Sequence, residues 1–170
     1  MPRSIDRQRP DAASAAYIGL GANLGDARAA LDAAFVAIAV LPETSLRRAS
    51  SLYRSAPVDS VGPDYLNAVV LVDTHLEPRA LLGALQVIEH THGRRRPYRN
   101  APRTLDLDLL LYGAQCLDTP VLMLPHPRLH ERGFVLRPLA ELSPDLVIPG
   151  RGPVGRLLQR AGQQRVDRLS

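Results

Sequence analysis

The order of strand-like and helix-like apolar patterns constrains the fold of this chain more than any other feature of its sequence. A short apolar strand is predicted over residues 16–20, and a glycine-rich turn follows from Gly21. Asp26 then predicts the N-terminus of a first helix, because its carboxylate can accept hydrogen bonds from the amides of the first turn. Apolar residues recur at helical spacing after it until Pro42 ends the helix. A strand over residues 44–54 comes next.

The second half of the pattern repeats this alternation. A strand rich in β-branched residues is predicted over residues 65–74, and Pro78 begins a second helix that stops near Gly93. Residues 105–112 form the last strand of the pattern. The resulting order, β-α-β-β-α-β, predicts the α+β class, with a ferredoxin-like antiparallel sheet, both helices on one face and the other face free for ligands. From residue 114 onward, repeated prolines predict a C-terminal extension of a small hairpin and short helices packed on this body.

Length and composition indicate one domain. The 170 residues are 45% apolar and 22% charged, which is ordinary for a folded globular chain. We expect a disordered leader at residues 1–15, a single domain at residues 16–162 and a C-terminal tail at residues 163–170. The single cysteine, Cys116, excludes an internal disulfide and fits a reducing cytoplasm, and no apolar run approaches the roughly 18 residues that a membrane span requires. We expect a cytoplasmic protein with no membrane partner, and a monomer.

Asp106 and Asp108 are the most informative pair of residues. Positions i and i+2 of a strand point to the same face, so both carboxylates lie on one side while Leu105 and Leu107 point to the core. Like charges side by side repel each other unless a cation lies between them. Mg²⁺ takes one or two carboxylates and completes its coordination with phosphate oxygens and water. The alternative is a half-exposed strand with solvated carboxylates, and the spacing alone leaves both interpretations open.

An arginine-rich segment comes immediately before this pair. Its five arginines within ten residues are Arg94, Arg95, Arg96, Arg99 and Arg103. A run of like charge is usually a solvated face. Beside two carboxylates, however, it forms a pocket suited to a polyphosphate, because phosphoryl transfer needs metal and guanidinium groups to neutralise the nonbridging oxygens. This combination favours an enzyme.

Tyr65 and Asn67 form a third candidate cluster, again on one face of a strand. An asparagine amide offers a donor and an acceptor to the edge of a heterocycle, and an aromatic ring can stack on its face. An edge tyrosine beside a solvated asparagine is the alternative, and for the pair alone it is the more common one. Phe134 is likewise more often a core residue than a ligand platform, and His126, beside Pro125, could donate to a phosphate.

Five segments of the sequence carry a family resemblance. They lie at residues 17–26, 50–54, 63–68, 101–108 and 125–129. The most specific of them contains Arg103-Thr104-Leu105-Asp106-Leu107-Asp108. Together the five segments resemble the 6-hydroxymethyl-7,8-dihydropterin pyrophosphokinases of folate biosynthesis.

This resemblance implies an activity and a set of site residues. The family transfers the pyrophosphoryl group of ATP to the hydroxymethyl oxygen of a reduced pterin and releases AMP. Asp106 and Asp108 match the carboxylates that hold two Mg²⁺ ions across the ATP phosphates, and Arg94 and Arg103 match arginines of a mobile loop that assist the transfer. The residues that match pterin-binding positions are Ser55, Val58, Tyr65, Asn67 and Phe134. Those that match positions on the nucleotide side are Gln86, Glu89, Arg96, His126 and Arg132.

Two other functions remain open from the residues alone. The same element order supports RNA-recognition sheets, and Arg132-Gly133-Phe134-Val135 faintly resembles one of their motifs, although it follows the last main strand instead of lying on a central one. The second alternative is a simple kinase that releases ADP. Basic nucleic-acid grooves rarely contain two carboxylates, so we expect ATP and a reduced pterin as substrates and no nucleic-acid partner.

Overall fold

The chain folds around an antiparallel sheet, and a computed structural model describes residues 12–23, 25–57, 61–92 and 105–169. The helices are α1 (Ala27–Ala39), α2 (Pro78–His92), α3 (Gly133–Leu142) and α4 (Val154–Arg160), with a 3₁₀ turn at Leu129–Glu131. The strands are β1 (Ser14–Ala22), β2 (Thr44–Ala49), β3 (Tyr53–Ser55), β4 (Tyr65–Thr74), β5 (Asp106–Tyr112), β6 (Leu117–Asp118), β7 (Met123–Leu124), β8 (Val147–Ile148), β9 (Gly152–Pro153) and β10 (Val166–Arg168). None of the helices in these ranges is long and apolar enough to cross a membrane.

The main sheet has the strand order β10-β3-β4-β1-β5, and β2 pairs with a further part of β4. All of these pairs are antiparallel, so the predicted α+β class and ferredoxin-like sheet are confirmed. The single strand expected at residues 44–54 is instead two strands, β2 and β3. Between them the chain leaves the ladder at Ser50, whose backbone amide donates to the carbonyl of Val69 and whose hydroxyl accepts from the Val69 amide. The hydroxyl therefore replaces a ladder partner where the strand is interrupted.

The first face of the sheet is covered by α1 and α2, as the apolar spacing predicts. Alternate residues of the three central strands, such as Ile18, Val70 and Leu107, pack against fully buried side chains such as Leu31 of α1 and Leu85 of α2. Complete burial of such a side chain contributes about 1.5–3 kcal/mol. This packing fixes which side of each strand faces the helices.

The ends of α1 follow the predicted signals. The Asp26 carboxylate accepts a hydrogen bond from the amide of Ala29 at 3.0 Å, and the helix ends at Ala39, before Pro42. The glycine-rich turn expected from Gly21 begins later than predicted, because β1 continues through Ala22. The extra residues pair with both neighbouring strands, Gly21 with Asn67 and with Asp106.

The second face is only partly open, which corrects the expectation that the whole face is free for ligands. α3 and α4 cover one half of it, where Tyr17, Val69 and Leu111 of the sheet join Leu136 and Leu157 of the helices in a second apolar cluster. The C-terminal extension carries enough apolar side chains to build this cluster. The uncovered half of the face lies beside the start of α3.

Both ends of the expected domain differ from the structure. Residues 163–170, expected to form a tail outside the domain, include β10, which extends the main sheet by pairing Val166 with Ser55 and Arg168 with Tyr53. β1 begins at Ser14, so the last two residues of the expected leader belong to the sheet. β10 is not visible as a periodic pattern, because it is short and is defined by a partner more than 100 residues away in the chain.

A polar cluster joins α3 to the strands β3 and β10. The Glu141 carboxylate accepts hydrogen bonds from the hydroxyl of Ser51 at 2.7 Å, from the amide of Ser51 at 3.1 Å and from the Tyr53 hydroxyl at 2.7 Å. Arg168 lies 3.4 Å from the same carboxylate. Burial raises the pKa of Glu141, but the hydrogen bonds from Ser51 and Tyr53 and the charge of Arg168 outweigh it and hold the pKa below its usual value. Burial, followed by the hydrogen bond to Glu141, raises the pKa of Tyr53 to about 12.

This cluster predicts a pH dependence of stability. Because the pKa of Glu141 is lower in the folded than in the unfolded chain, its carboxylate stabilises the fold above the unfolded pKa of about 4.3, and this contribution is lost as pH falls through the folded pKa. We expect Glu141→Gln to reduce the free energy of unfolding at neutral pH by about 2 kcal/mol. Urea unfolding from about pH 7 to about pH 3 should then give a flatter pH profile for the variant than for the unsubstituted chain. Asp32→Asn, an exposed change on α1, is the control; parallel profiles for Glu141→Gln and the unsubstituted chain would contradict the prediction.

Candidate active site

A cavity of about 540 Å³ lies over the open half of the second face of the sheet. Its floor is β1, where Gly21 pairs with Asn67 of β4 on one side and with Asp106 of β5 on the other, and where Gly19 pairs with Asp108. Neighbouring strands lie about 4.8 Å apart, so the amide of Asn67 and the two carboxylates stand on opposite sides of a strip about 10 Å wide. Two clusters that are distant in the sequence therefore belong to one site.

Gly19 and Gly21 have no side chains that would fill the bottom of this cavity. Both line it, and the side chains of Leu20 and Ala22, between and after them, are buried in the apolar cluster on the helix side. A Cβ atom on Gly21 would meet only the Asn67 Oδ1 atom, at 3.5 Å, which is ordinary contact. The glycines thus supply the space above the strand. The alternation of these glycines with apolar residues could have indicated a strand with open space above it. The prediction of a turn at Gly21 obscured this pattern.

Four of the predicted pterin residues line the cavity: Ser55, Tyr65 and Asn67 on a wall formed by β3 and β4, and Phe134 on a wall formed by the start of α3. The Asn67 amide nitrogen donates to the Ser55 hydroxyl at 2.8 Å and to the Tyr53 carbonyl at 3.4 Å, so both of its donors are used inside the protein. The remaining Oδ1 atom is the one beside Gly21 at the floor. The cavity therefore presents a fixed hydrogen-bond acceptor and two aromatic residues, Tyr65 and Phe134, to any ligand in it.

The residues around the N-terminus of α3 form a charged side of the same cavity. Arg128, Glu131 and Arg132 all line it, and the Arg128 Nε atom lies 3.7 Å from the Glu131 carboxylate. The guanidinium carbon of Arg132 lies 5.6 Å from the centre of the Phe134 ring, within the range of a cation–π contact. Arg128 and Glu131 had no pattern in the sequence that distinguished them from surface charges.

A second cavity, of about 300 Å³, adjoins the first. Leu82 of α2, Val121, Met123 and His126 line it, and Asp108 lines both cavities. Asp108 therefore stands where a ligand in one cavity would meet a ligand in the other.

His126 faces this second cavity as a neutral imidazole. The Arg128 amide donates to its Nδ1 atom at 3.2 Å, which leaves the proton on Nε2. Burial lowers the pKa of His126; Asp108 raises it, and the positive charges of Arg132 and Arg128 lower it further. The net shift is downward, so the group can donate one hydrogen bond from Nε2 at neutral pH.

Two predicted nucleotide residues lie outside the described lining of both cavities. Glu89 is buried on the helix side of the sheet, where its Oε1 atom accepts from the Leu107 amide at 2.8 Å. Among the described strands β5 lies at the edge of the sheet, so this carboxylate satisfies an outward-facing amide between Asp106 and Asp108. Gln86 is an exposed residue of α2. The predicted residues Val58, Arg94, Arg96 and Arg103 lie outside the described residues.

Asp106 and Asp108 are the residues that could hold a metal ion. Within the described ranges, no group of three or more histidine, cysteine, aspartate or glutamate side chains is arranged around a common point. A cation at this site would therefore take most of its ligands from water or from a bound substrate. Mg²⁺ fits this donor set, because it commonly binds one or two carboxylates together with phosphate oxygens.

Comparisons with known proteins agree with this architecture. The family model described as 7,8-dihydro-6-hydroxymethylpterin-pyrophosphokinase matches residues 17–144. A Pseudomonas aeruginosa protein named 2-amino-4-hydroxy-6-hydroxymethyldihydropteridine pyrophosphokinase is 46% identical over 154 residues, which cover 90% of this chain and 95% of that protein. A Haemophilus influenzae protein of the same name is 42% identical, with 91% of this chain and 98% of the relative covered.

Solved structures show the same fold. A Plasmodium falciparum HPPK-DHPS crystal structure aligns with a TM-score of 0.70 at 13% identity, over 90% of this chain and 46% of the other, so this chain spans about half of that longer protein. Fold and site together define a ferredoxin-like protein whose ligand cavity carries paired carboxylates. The chain belongs to the 7,8-dihydro-6-hydroxymethylpterin-pyrophosphokinase family.

The glycine floor gives a direct test of this cavity. We expect Gly21→Val to keep the fold, because the space above Gly21 is open and valine suits a strand, but to fill the floor between Asn67 and Asp106. Calorimetric titration should show pterin binding weakened by about tenfold or more, equivalent to at least about 1.4 kcal/mol, while the thermal unfolding midpoint changes little.

Gly83→Ala is the matched control, since Gly83 lies in α2 with nothing near its missing Cβ. It should leave binding unchanged and stabilise the fold by up to about 1 kcal/mol. Normal pterin binding by Gly21→Val would show that the ligand does not use this floor.

Proposed function

We propose that this chain transfers the pyrophosphoryl group of ATP to the hydroxymethyl group of 6-hydroxymethyl-7,8-dihydropterin, releases AMP and so serves folate biosynthesis. The observation that carries the proposal is that Asp108 lines both cavities, so that a ligand in each would meet at the carboxylate pair. The names of the relatives support the same reaction. Neither of these two relatives is named as an RNA-binding protein, the alternative from another class.

The larger cavity is proposed as the pterin site. Tyr65 and Phe134 provide aromatic faces for a flat heterocycle, and the fixed Oδ1 atom of Asn67 accepts a hydrogen bond from an N–H at its edge. Ser55 holds the Asn67 amide in this orientation. Val58 is proposed to contact the pterin from the following loop.

The smaller cavity is proposed as the nucleotide site. Its apolar walls, Leu82, Val121 and Met123, suit a purine base, and the Nε2 proton of His126 suits a phosphate oxygen near Asp108. Arg132 extends positive charge toward the shared region. Gln86, Arg94, Arg96 and Arg103 remain proposed nucleotide or phosphate contacts, whereas Glu89 is proposed to act indirectly by holding the backbone of β5.

Asp106 and Asp108 are proposed to hold two Mg²⁺ ions with ATP. When bound, Mg²⁺ neutralises phosphate charge and polarises the phosphorus–oxygen bonds. The pterin hydroxymethyl oxygen forms a bond to the β-phosphorus, the bond from that phosphorus to the α,β-bridging oxygen breaks, AMP leaves, and the hydroxyl proton passes to solvent. The chain contributes by holding both substrates in line and by stabilising charge, which supply most of the rate in phosphoryl transfer.

We further propose that the chain acts in the cytoplasm as a monomer. Light scattering of the purified chain would test the oligomeric state.

The nucleotide product tests the proposed reaction. Incubation with ATP, Mg²⁺ and 6-hydroxymethyl-7,8-dihydropterin should release AMP in a one-to-one ratio with the pterin diphosphate, as measured by ion-exchange chromatography. Omission of the pterin should abolish AMP release. ADP as the product would identify a simple kinase, and salt-dependent binding of single-stranded RNA without turnover would favour the RNA-binding alternative.

Substitution of the carboxylates tests the proposed metal site. Asp106→Asn and Asp108→Asn should each lower kcat by about 100-fold or more, the size of effect that follows loss of one group stabilising transition-state charge, while pterin affinity changes far less. Asp145→Asn, an exposed change after α3, is the control. Near-normal rates for either site variant at low Mg²⁺ concentration would refute the assignment.

A further inference from the structure

The C-terminal segment, defined as residues 164–168, contacts both walls of the larger cavity. We propose that Gln164 is a positioning residue of the pterin site. We also propose that this segment sets the distance between the wall that carries Phe134 and the wall that carries Ser55 and Asn67. The inference rests on the proposed function, because it assigns the larger cavity to the pterin. Nothing in the sequence around Gln164 indicates this role.

The side-chain amide of Gln164 forms two hydrogen bonds with the backbone at the N-terminus of α3. Its Oε1 atom accepts a hydrogen bond from the Gly133 amide at 2.8 Å, and its Nε2 atom donates to the Glu131 carbonyl at 2.7 Å. The two bonds bracket Arg132, which is the N-cap of α3 and makes no side-chain capping bond of its own. Helices need such bonds for the free amides of their first turn. Gln164 therefore caps α3 from 31 residues away in the chain.

Gly133 allows the segment to lie directly against the backbone of α3. A Cβ atom on Gly133 would lie 3.3 Å from Gln164 Oε1 and 3.5 Å from Val166 Cγ2. Gly133 is buried and immediately precedes Phe134. The position of the Phe134 ring is thus set by a backbone that is in contact with the C-terminal segment.

The same segment also holds the opposite wall. Val166 pairs with Ser55, whose hydroxyl accepts from Asn67. Arg137 of α3 donates to the Val166 carbonyl at 2.7 Å, which ties the strand back to the helix. Three residues of sequence, from 164 to 166, therefore connect the Phe134 wall with the Ser55 and Asn67 wall.

The geometry of Gln164 favours positioning over ligand recognition. Its side chain lines the cavity, yet its amide oxygen and nitrogen are both engaged by the backbone around Arg132. Loss of these bonds should loosen the aromatic wall more than it unfolds the chain, because α3 is anchored independently through its buried apolar side chains, including Leu136 and Leu139.

The test compares Gln164→Met with Gln163→Met. Methionine keeps the length of the side chain and removes both hydrogen bonds, and Gln163 is an exposed neighbour outside the cavity lining. Binding of 6-hydroxymethyl-7,8-dihydropterin is titrated in the presence of Mg²⁺ and a non-hydrolysable ATP analogue. We expect Gln164→Met to raise the pterin Kd by about five- to tenfold, equivalent to about 1–1.4 kcal/mol, and to change the Kd of the analogue by less than about twofold. Gln164→Glu, which keeps the acceptor for the Gly133 amide, should give an intermediate pterin Kd.

The outcomes separate the inference from the proposed function. If the unsubstituted chain releases AMP and binds the pterin, but Gln164→Met matches Gln163→Met in pterin Kd, the inference is overturned while the proposed function stands. Equal weakening of both ligands together with a lower unfolding midpoint would show a general structural role and would also overturn it. Failure of the unsubstituted chain to release AMP would overturn the proposed function instead.

Discussion

The simultaneous pairing of β1 with β4 and β5 is the constraint on which the rest of the site depends. Through this register Gly21 stands between Asn67 and Asp106, and Gly19 stands beside Asp108. A shift of one residue in either pairing would turn the polar side chains into the helix layer and the apolar ones into the cavity. The site is therefore a consequence of sheet register, and its chemistry cannot be separated from the fold.

Burial on the helix side is strong enough to impose this register against the repulsion of the carboxylates. Two charges about 7 Å apart repel by roughly 0.6–2.4 kcal/mol at effective dielectric constants of about 80–20. Leu105, Leu107 and Leu109, which alternate with them, are almost completely buried, and each contributes about 1.5–3 kcal/mol. The leucines therefore determine which face of β5 carries Asp106 and Asp108, even before a cation offsets the repulsion.

Local alternation explains why much of the fold and site could be predicted from the sequence. The strand and helix patterns and the pairing of Asp106 with Asp108 on one face depend on neighbours within a few residues. The contact between Glu89 and the Leu107 amide could not be predicted, because it satisfies an amide at the edge of the described sheet and no residue pattern marks it. The role of Gln164 had no local signal either, since its partners lie more than 30 residues away.

The apolar core and the functional site meet on β5, and both local alternation and non-local contacts determine where. Asp106, Asp108 and Leu110 follow one another along a single face of the strand, and Leu110 both lines the larger cavity and packs in the apolar cluster under α3. Where α3 begins therefore sets how much of this face is covered and how much remains open. Non-local contacts at both ends of the helix, through Gln164 and Glu141, fix that position. An apolar residue directly beside Asp108 also lowers the local dielectric constant, which strengthens the electrostatic effect of the carboxylate on any charged ligand.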